Sequence, residues 1–203
     1  MLPDKIKYNP KIHHRRSIRL KGYDYSQAGA YFITICTNDR KCVFGEITNG
    51  EMMLNDYGKI ANDEWEKLPQ RFPNFELDVF QIMPNHMHGI VLLNESVGAG
   101  LAPAQNDNGA TARVAPTKTV GDIVGAYKSL VANECLKIFK LNWETVNRAG
   151  VNRAGVNPAP TMGKLWQRNY YEHIIRNEQS YQTISNYIIN NPDNWSSDKF
   201  FIK

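Results

Sequence analysis

The sequence has little cysteine and no long apolar run. Its three cysteines, Cys36, Cys42 and Cys135, are odd in number and form no Cys-x-x-Cys pair. This pattern argues against a disulfide framework and a thiolate zinc site, and it favours a reducing compartment. No run approaches the roughly 18 apolar residues that a membrane span needs, and residues 1–16 lack the apolar core of a signal peptide. We therefore expect a soluble, cytoplasmic protein.

A strong net charge is also lacking. The 24 Lys and Arg residues against 20 Asp and Glu leave a formal charge of +4. The basic residues concentrate in one N-terminal segment, which runs into the aromatic pair Tyr23 and Tyr25. Basic arms next to aromatic residues suit phosphate contact and base stacking, although a solvated tail has the same composition. The candidate DNA-binding residues in this segment are His14, Arg15, Arg16, Arg19 and Lys21.

The rest of the composition is that of a folded domain. A chain of 203 residues with 42% hydrophobic residues is long enough to bury a full core, and one domain is expected. Residues 94–117 are rich in Gly, Ala, Asn and Pro, and residues 145–163 repeat the unit Val-Asn-Arg-Ala-Gly. Such segments cannot bury enough apolar surface to offset the entropy of ordering. We predict a single domain over residues 1–203, with these two segments as flexible, non-catalytic insertions.

Several short apolar runs predict strands. Residues 30–37 are rich in β-branched and aromatic side chains, and two further runs, 75–83 and 86–93, flank a Pro-Asn turn. Residues 43–53 predict a small hairpin, because Asn49-Gly50 supplies the positive φ angles that such turns need. An aromatic and basic stretch over 165–176 predicts the last strand.

Three longer stretches show the apolar spacing of helices. They cover residues 57–68, 120–138 and 177–191, and Pro69 and Pro192 mark the ends of the first and the third. Strands interleaved with few helices favour an α+β sandwich with an antiparallel sheet. The residues placed to cap helices are Thr119, Asp122 and Asn177.

Two histidines at the start of the strand 86–93 are the first candidates for chemistry. Alternate residues of a strand share a face, so His86 and His88 point the same way. Neutral imidazole nitrogen binds divalent transition metals, but two ligands seldom complete a site, and a third must come from elsewhere. Without that third ligand, His-x-His is equally compatible with a turn cap and an ordinary sheet residue.

The last predicted helix offers a phenol and a carboxamide. Tyr187 and Asn191 are four residues apart, so they are neighbours on one flank of the apolar stripe. Tyr187 could instead be an amphipathic core residue. Tyr170 and Tyr171 are rival nucleophiles, for which we favour base stacking or packing, because neither has a polar helical neighbour four residues on.

Three blocks of the sequence, taken in order, resemble a known family. They are Met83 to Gly89, Trp166 to Arg176 and Asn186 to Pro192. With these blocks the chain resembles the REP-associated tyrosine transposases, members of the single-tyrosine HUH nuclease superfamily. The resemblance covers most of residues 13–195 outside the two insertions, and it implies the ferredoxin-like core of these nucleases, an antiparallel sheet with helices packed on it.

The resemblance also implies roles for individual residues. His86 and His88 would be the metal-binding pair, Asn191 the third protein ligand, and Tyr187 the nucleophile that forms a 5′-phosphotyrosine and leaves a free 3′-hydroxyl. Besides the N-terminal segment, we expect DNA contacts from Lys128, which lies off its apolar stripe and could face a phosphate or only water. The stretch before the last helix supplies three more candidates, Trp166, Arg168 and Arg176.

The residue types suit this chemistry without reference to the family. Mixed nitrogen and oxygen ligation favours Mg²⁺ or Mn²⁺, and open coordination positions let such an ion act as a Lewis acid on a phosphate. We therefore expect a metal-dependent transposase that cleaves and rejoins single-stranded DNA near a hairpin, as a monomer or homodimer. Two alternatives stay open: a non-catalytic module that binds structured nucleic acid, and a phosphodiesterase that uses water.

Overall fold

The elements of the fold follow the chain order that the apolar periodicity predicts. The computed structural model describes residues 20, 22–94, 118–148 and 162–201. The predicted N-terminal DNA-binding residues and most of both insertions lie outside the described residues. The strands are β1 (Gly29–Cys36), β2 (Gly45–Thr48), β3 (Glu51–Leu54), β4 (Phe75–Met83), β5 (His86–Leu93) and β6 (Tyr171–Ile175). The helices are α1 (Asp56–Glu66), α2 (Leu68–Arg71), α3 (Val120–Arg148) and α4 (Glu178–Ile189).

Four strands form one antiparallel sheet in the order β4-β5-β1-β6. β2 and β3 form a separate hairpin that turns at Asn49 and Gly50, whose φ angles of 54° and 80° are the positive values that the sequence predicts there. The α+β fold with an antiparallel sheet is therefore confirmed. Within the described ranges, no helix combines the length and the apolar character required to cross a membrane.

The larger core lies on the face of the sheet that α1 and α3 cover. Alternate residues of β1, Tyr31, Ile33 and Ile35, are fully buried there. Trp65 of α1 meets Tyr127 of α3 edge to face, with ring centroids 5.0 Å apart. The tyrosine hydroxyl also donates to a carbonyl of α1, so the two helices are joined above the sheet.

The opposite face of the sheet carries a smaller core under α4. Phe32 of β1 and Ile90 of β5 pack there against Ile188 of α4. Because side chains alternate along a strand, His86 and His88 of β5 lie on this same face. The pleat of β5 therefore directs both histidines toward the helix that carries Tyr187.

Two helix boundaries differ from the sequence predictions. α3 continues to Arg148, so residues 145–148 are helical although an insertion was expected from residue 145. Thr145 fits this helix because its hydroxyl donates to the carbonyl of Leu141, one turn earlier, at 2.9 Å. α1 ends at Glu66, two residues earlier than predicted but before Pro69 as expected. Pro69 lies in the first turn of the separate helix α2, where its missing N–H is not needed.

Candidate metal centre and nucleophile

His86 and His88 are held side by side at the start of β5. Both side chains are fully buried, and their Nε2 atoms are 3.0 Å apart. Adjacent ligands on an octahedral ion with bonds of about 2.1 Å are themselves separated by roughly 3 Å. The pair therefore has the spacing that is needed to hold one divalent ion between the two rings.

The second nitrogen of each imidazole is tied to the protein. His86 Nδ1 donates to Asn85 Oδ1 over 2.8 Å, and the amide nitrogen of Asn85 donates to the carbonyl of Phe200 over 2.8 Å. The second bond determines which end of the Asn85 amide faces the histidine. His88 Nδ1 lies 2.8 Å from the hydroxyl of Thr34. Such partners orient metal-binding histidines and leave Nε2 available for the ion.

α4 brings Tyr187 to the histidines. Its hydroxyl is 3.1 Å from Nε2 of His88, although the two residues are 99 positions apart in the chain. The ring meets Phe32 edge to face, with centroids 6.3 Å apart. Tyr187 is 38% exposed, so a substrate can reach the phenol from solvent while its hydroxyl borders the buried pair.

Asn191 follows the end of α4 and is 1% exposed. Its Nδ2 donates to Oδ2 of Asp198 over 3.0 Å. Its Oδ1 is buried and has no hydrogen-bond partner among the described residues. A buried polar atom without a partner costs about 1–3 kcal/mol, and coordination to a hard divalent ion would relieve that cost. The donor set of the site therefore fits such an ion.

Asp198 also belongs to the site, although no sequence pattern singles it out. Its Oδ2 accepts hydrogen bonds from the hydroxyl of Tyr187 at 3.1 Å and from Asn191. A carboxylate oxygen of Asp198 and a ring nitrogen from each of His86 and His88 all lie within 4.8 Å of one another. These three residues form a possible divalent-metal site. Asp198 lies outside the regular helices and strands, so no periodicity connects it to Tyr187.

Burial sets the charge states in the site. It lowers the pKa of His86 to about 4 and lowers the pKa of His88 well below the usual 6.5. Both imidazoles are therefore neutral at pH 7, which is the form that binds a metal. Burial, together with the negative charge of Asp198, raises the pKa of Tyr187. The protein groups around Tyr187 thus favour the neutral phenol.

Other proteins are similar to this chain in sequence or in fold. No protein-family model matches the chain. A Haemophilus influenzae protein that carries the name "Uncharacterized protein" is 42% identical over 197 residues, which are 97% of this chain and 98% of the relative. A second Haemophilus influenzae protein, provisionally named a REP-associated tyrosine transposase, is 25% identical over 169 residues, or 83% of this chain and 73% of the relative.

The solved structure of a REP-associated tyrosine transposase bound to a REP hairpin has the same fold. It matches with a TM-score of 0.54 and 18% identity, over 89% of this chain and 76% of that chain. The chain is therefore similar in sequence to one protein named as a REP-associated tyrosine transposase and similar in fold to another. The residues expected to bind DNA differ in whether they lie in the described part of the chain and in how far they are buried.

Two of the residues predicted to contact DNA lie at the surface. Arg168 and Arg176 flank β6, and both are exposed. A DNA contact by either residue stays a prediction. The predicted residues of the N-terminal segment lie outside the described part of the chain: His14, Arg15, Arg16, Arg19 and Lys21.

Lys128 is half-buried and donates hydrogen bonds to backbone carbonyl groups. Its ammonium donates to the carbonyl oxygens of Gln167 at 2.6 Å and Arg168 at 3.3 Å. Partial burial lowers its pKa. The lysine therefore joins α3 to the segment before β6. A DNA contact by Lys128 stays a prediction.

Trp166, predicted as a DNA contact, lies in the core. It is 8% exposed, and its Nε1 donates to the carbonyl of Lys128 at 3.0 Å. The ring packs against Phe44 and Tyr127, with centroids 5.2 and 5.8 Å away. Although a strand was predicted over residues 165–176, Trp166 forms only an isolated β-bridge with Thr37. These contacts show that Trp166 packs in the core, whereas a DNA contact by its indole stays a prediction.

Tyr170 and Tyr171 do not border the histidines as Tyr187 does. Tyr170 packs against the larger core. Tyr171 is 44% exposed and meets Phe32 edge to face at 6.2 Å. It lines an open groove of about 440 Å³ together with His173. An exposed ring beside a groove is suited to stacking on a base.

Proposed function

We propose that this protein cleaves and rejoins single-stranded DNA beside hairpins, with Tyr187 as the nucleophile and Mg²⁺ or Mn²⁺ as the cofactor. The observation that carries the proposal is the approach of the Tyr187 hydroxyl to 3.1 Å from a paired, buried histidine. The similarity to a relative named as a REP-associated tyrosine transposase supports the reaction class, and the neighbouring structure that is bound to a REP hairpin supports the substrate.

Three side chains would hold the ion. His86 and His88 offer neutral nitrogens oriented by Asn85 and Thr34, and Asn191 offers its unpartnered amide oxygen. An ion held by these groups would act as a Lewis acid on the phosphodiester and favour the phenolate form of the neighbouring tyrosine.

Tyr187 would carry out the covalent step. Its hydroxyl oxygen forms a bond to the phosphorus, and the bond from phosphorus to the 3′ oxygen breaks. The phenol loses its proton and the leaving 3′ oxygen ends as a hydroxyl, so atoms and charge balance. The tyrosyl phosphodiester keeps the energy of the broken bond, and attack by a 3′-hydroxyl on the phosphorus therefore restores a continuous strand.

A polar groove beside Tyr187 would accommodate the substrate strand. It has a volume of about 480 Å³, and its lining includes Asn186, Asn190 and Lys199. Carboxamides and an ammonium group suit base edges and phosphates. The histidines are recessed, so a flexible single strand can bring its phosphate to them more easily than a stacked duplex can.

Covalent capture tests the proposal. We expect the protein, incubated with Mn²⁺ and a labelled oligonucleotide that carries a hairpin and a single-stranded flank, to form an adduct that survives denaturation. The modified peptide should contain Tyr187, and the adduct should disappear with a chelator. Tyr187→Phe should bind DNA without forming the adduct, whereas the control Tyr171→Phe should still form it.

Two other results would assign a different function. If the wild-type protein gives no adduct and Tyr187→Phe binds the oligonucleotide equally well, the protein is a nucleic-acid-binding module without this activity. If Tyr187→Phe still cleaves the strand while His88→Ala does not, water is the nucleophile and the protein is a metal phosphodiesterase.

A further inference from the structure

One carboxylate oxygen of Asp198 is hydrogen-bonded both to Tyr187, the proposed nucleophile, and to Asn191, a proposed metal ligand. Its Oδ2 accepts hydrogen bonds from the Tyr187 hydroxyl at 3.1 Å and from Asn191 Nδ2 at 3.0 Å. Its Oδ1 accepts the backbone N–H of Phe200 at 2.6 Å. A carboxylate has about four acceptor sites, so it can take these three bonds at once.

The position of Asp198 is itself determined by the histidine turn. The carbonyl of Phe200 accepts from Asn85 Nδ2 at 2.8 Å, and Asn85 Oδ1 accepts from His86 Nδ1 at 2.8 Å. The ring of Phe200 also lies against that of His86, with centroids 4.5 Å apart. The segment after α4 is therefore attached to the same turn that supplies the paired imidazoles, and Asp198 has little freedom to move.

The fixed position of Asp198 determines the orientation of the Asn191 amide. An amide group can present either oxygen or nitrogen, and only the oxygen can coordinate a cation. Because Nδ2 is bonded to Asp198, Oδ1 is the end left for another partner, and it is the buried atom without one among the described residues. The carboxylate thus selects the oxygen as the end of Asn191 that is free to coordinate an ion.

We propose that Asp198 is a positioning residue that sets the amide orientation of Asn191 and the direction of the Tyr187 hydroxyl. The part that concerns Tyr187 rests on the proposed function. The part that concerns Asn191 is a statement about metal binding and can be tested without DNA. The alternative role for the same carboxylate is direct coordination of the ion, since it also lies within 4.8 Å of the histidine nitrogens.

A double-mutant cycle separates these two roles. Mn²⁺ affinity is measured by electron paramagnetic resonance for the wild-type protein, Asn191→Ala, Asp198→Ala and the double variant. We expect each single substitution to weaken Mn²⁺ binding about 10- to 100-fold, as loss of a ligand or of its supporting partner does. The double variant should bind no more weakly than Asn191→Ala, because Asp198 acts through Asn191.

Two outcomes overturn the inference. If the two losses of Mn²⁺ affinity multiply in the double variant, Asp198 is a metal ligand in its own right. If Asp198→Ala binds Mn²⁺ as tightly as the wild-type protein does, Asp198 plays no part in metal binding. The matched control is Asp193→Ala, which removes an exposed carboxylate near the end of the same helix and should leave affinity unchanged. If Asp198→Ala does not fold, Asp198→Asn keeps the side-chain volume and the same cycle applies.

The adduct assay gives the second readout. Asp198→Ala should lower the rate of adduct formation at saturating DNA, because the residue orients the nucleophile. It should not raise the DNA concentration for half-maximal rate, because a carboxylate in the groove beside Tyr187 repels phosphates and does not bind them. An unchanged rate contradicts the part that concerns Tyr187. A wild-type protein that forms no adduct but shows the expected Mn²⁺ cycle refutes the proposed function and leaves the role toward Asn191 intact.

Discussion

At the scale of single residues, the site depends on neutral groups that are oriented by their neighbours. Burial keeps both imidazoles uncharged and favours the phenol form of Tyr187. Thr34 and Asn85 occupy the far nitrogens of the two rings. Residues outside the His-x-His motif therefore decide which nitrogen atoms are available to an ion.

Thr34→Val tests the support of His88. The substitution keeps the shape of the side chain and removes the hydroxyl that lies 2.8 Å from the imidazole. We expect Mn²⁺ affinity to fall by about tenfold or more, with the fold retained, because a metal-binding histidine loses its orienting partner. Isothermal titration with Mn²⁺ measures this change. Thr48→Val makes the same chemical change on the exposed side of β2 and should have no effect; equal affinities for both variants would contradict the prediction.

The buried histidines also predict how stability depends on pH. The folded pKa of His86 is lowered to about 4, whereas an unfolded histidine titrates near 6.5. As the pH falls from about 6.5 to about 4, the unfolded chain takes up protons that the folded state excludes, so the free energy of unfolding decreases. Above this window His86 makes no pH-dependent contribution.

Urea unfolding in a chelator, from about pH 4.5 to about pH 7.5, measures this dependence. We expect the free energy of unfolding to rise with pH by up to roughly 1.4 kcal/mol per unit for each such histidine, and His86→Gln should show a shallower slope. Equal slopes for the two proteins would contradict the prediction, because they would mean that His86 has the same pKa in the folded and the unfolded states.

At the scale of elements, the site is the meeting point of β1, β5 and α4. The antiparallel register places Thr34 of β1 opposite His88 of β5. α4 lies on the same sheet face, where Ile188 packs into the smaller core and the preceding residue, Tyr187, reaches the histidines. The orientation of α4 therefore determines where the hydroxyl of Tyr187 lies.

The N-cap of α4 gives a prediction at this scale. Asn177 accepts the backbone N–H of Ser180 through its side chain at 2.8 Å. Asn177→Ala should lower the free energy of unfolding by about 1 kcal/mol, because a donor in the first turn loses its partner. Urea titration measures the loss. Asn177→Ser keeps a capping oxygen and should stay close to wild type, so an equal loss in both variants would argue against the cap.

At the scale of the whole molecule, charge is distributed unevenly. The densest basic segment of the sequence spans residues 11–21, and the exposed arginines Arg168 and Arg176 flank β6. The modest net charge of +4 therefore understates the local attraction for a nucleic acid. We propose that the N-terminal segment contributes sequence-independent affinity and takes no part in the chemistry.

Salt dependence tests this proposal. Replacing Arg15, Arg16 and Arg19 by Ala should weaken single-stranded DNA binding and reduce the slope of log affinity against log salt by about 0.7 per lost phosphate contact. Mn²⁺ affinity and adduct formation at saturating DNA should not change. Alanine at Lys59 and Lys137, on helices of the opposite sheet face, is the control. An unchanged slope in the arginine variant would exclude the segment from DNA binding.

The sequence alone determined the features that depend on local physics. Strand and helix periodicity, the turn at Asn49-Gly50 and the cap at Asn177 involve neighbours within a few residues. The turn and the cap have the predicted form, and the predicted strands and helices occur in the predicted order, although some of their boundaries differ. The alternation of a strand likewise placed His86 and His88 on one face before their surroundings were known. These features follow from backbone geometry, which is similar in every fold.

Only the tertiary structure decided which side chains meet across the sheet. An aromatic residue in a basic stretch has the same composition whether its ring is exposed or buried, and packing against Tyr127 put Trp166 in the core. Asp198 entered the site because the chain after α4 folds back onto the histidine turn. Such contacts depend on the summed burial and hydrogen bonding of distant segments, which no local spacing encodes.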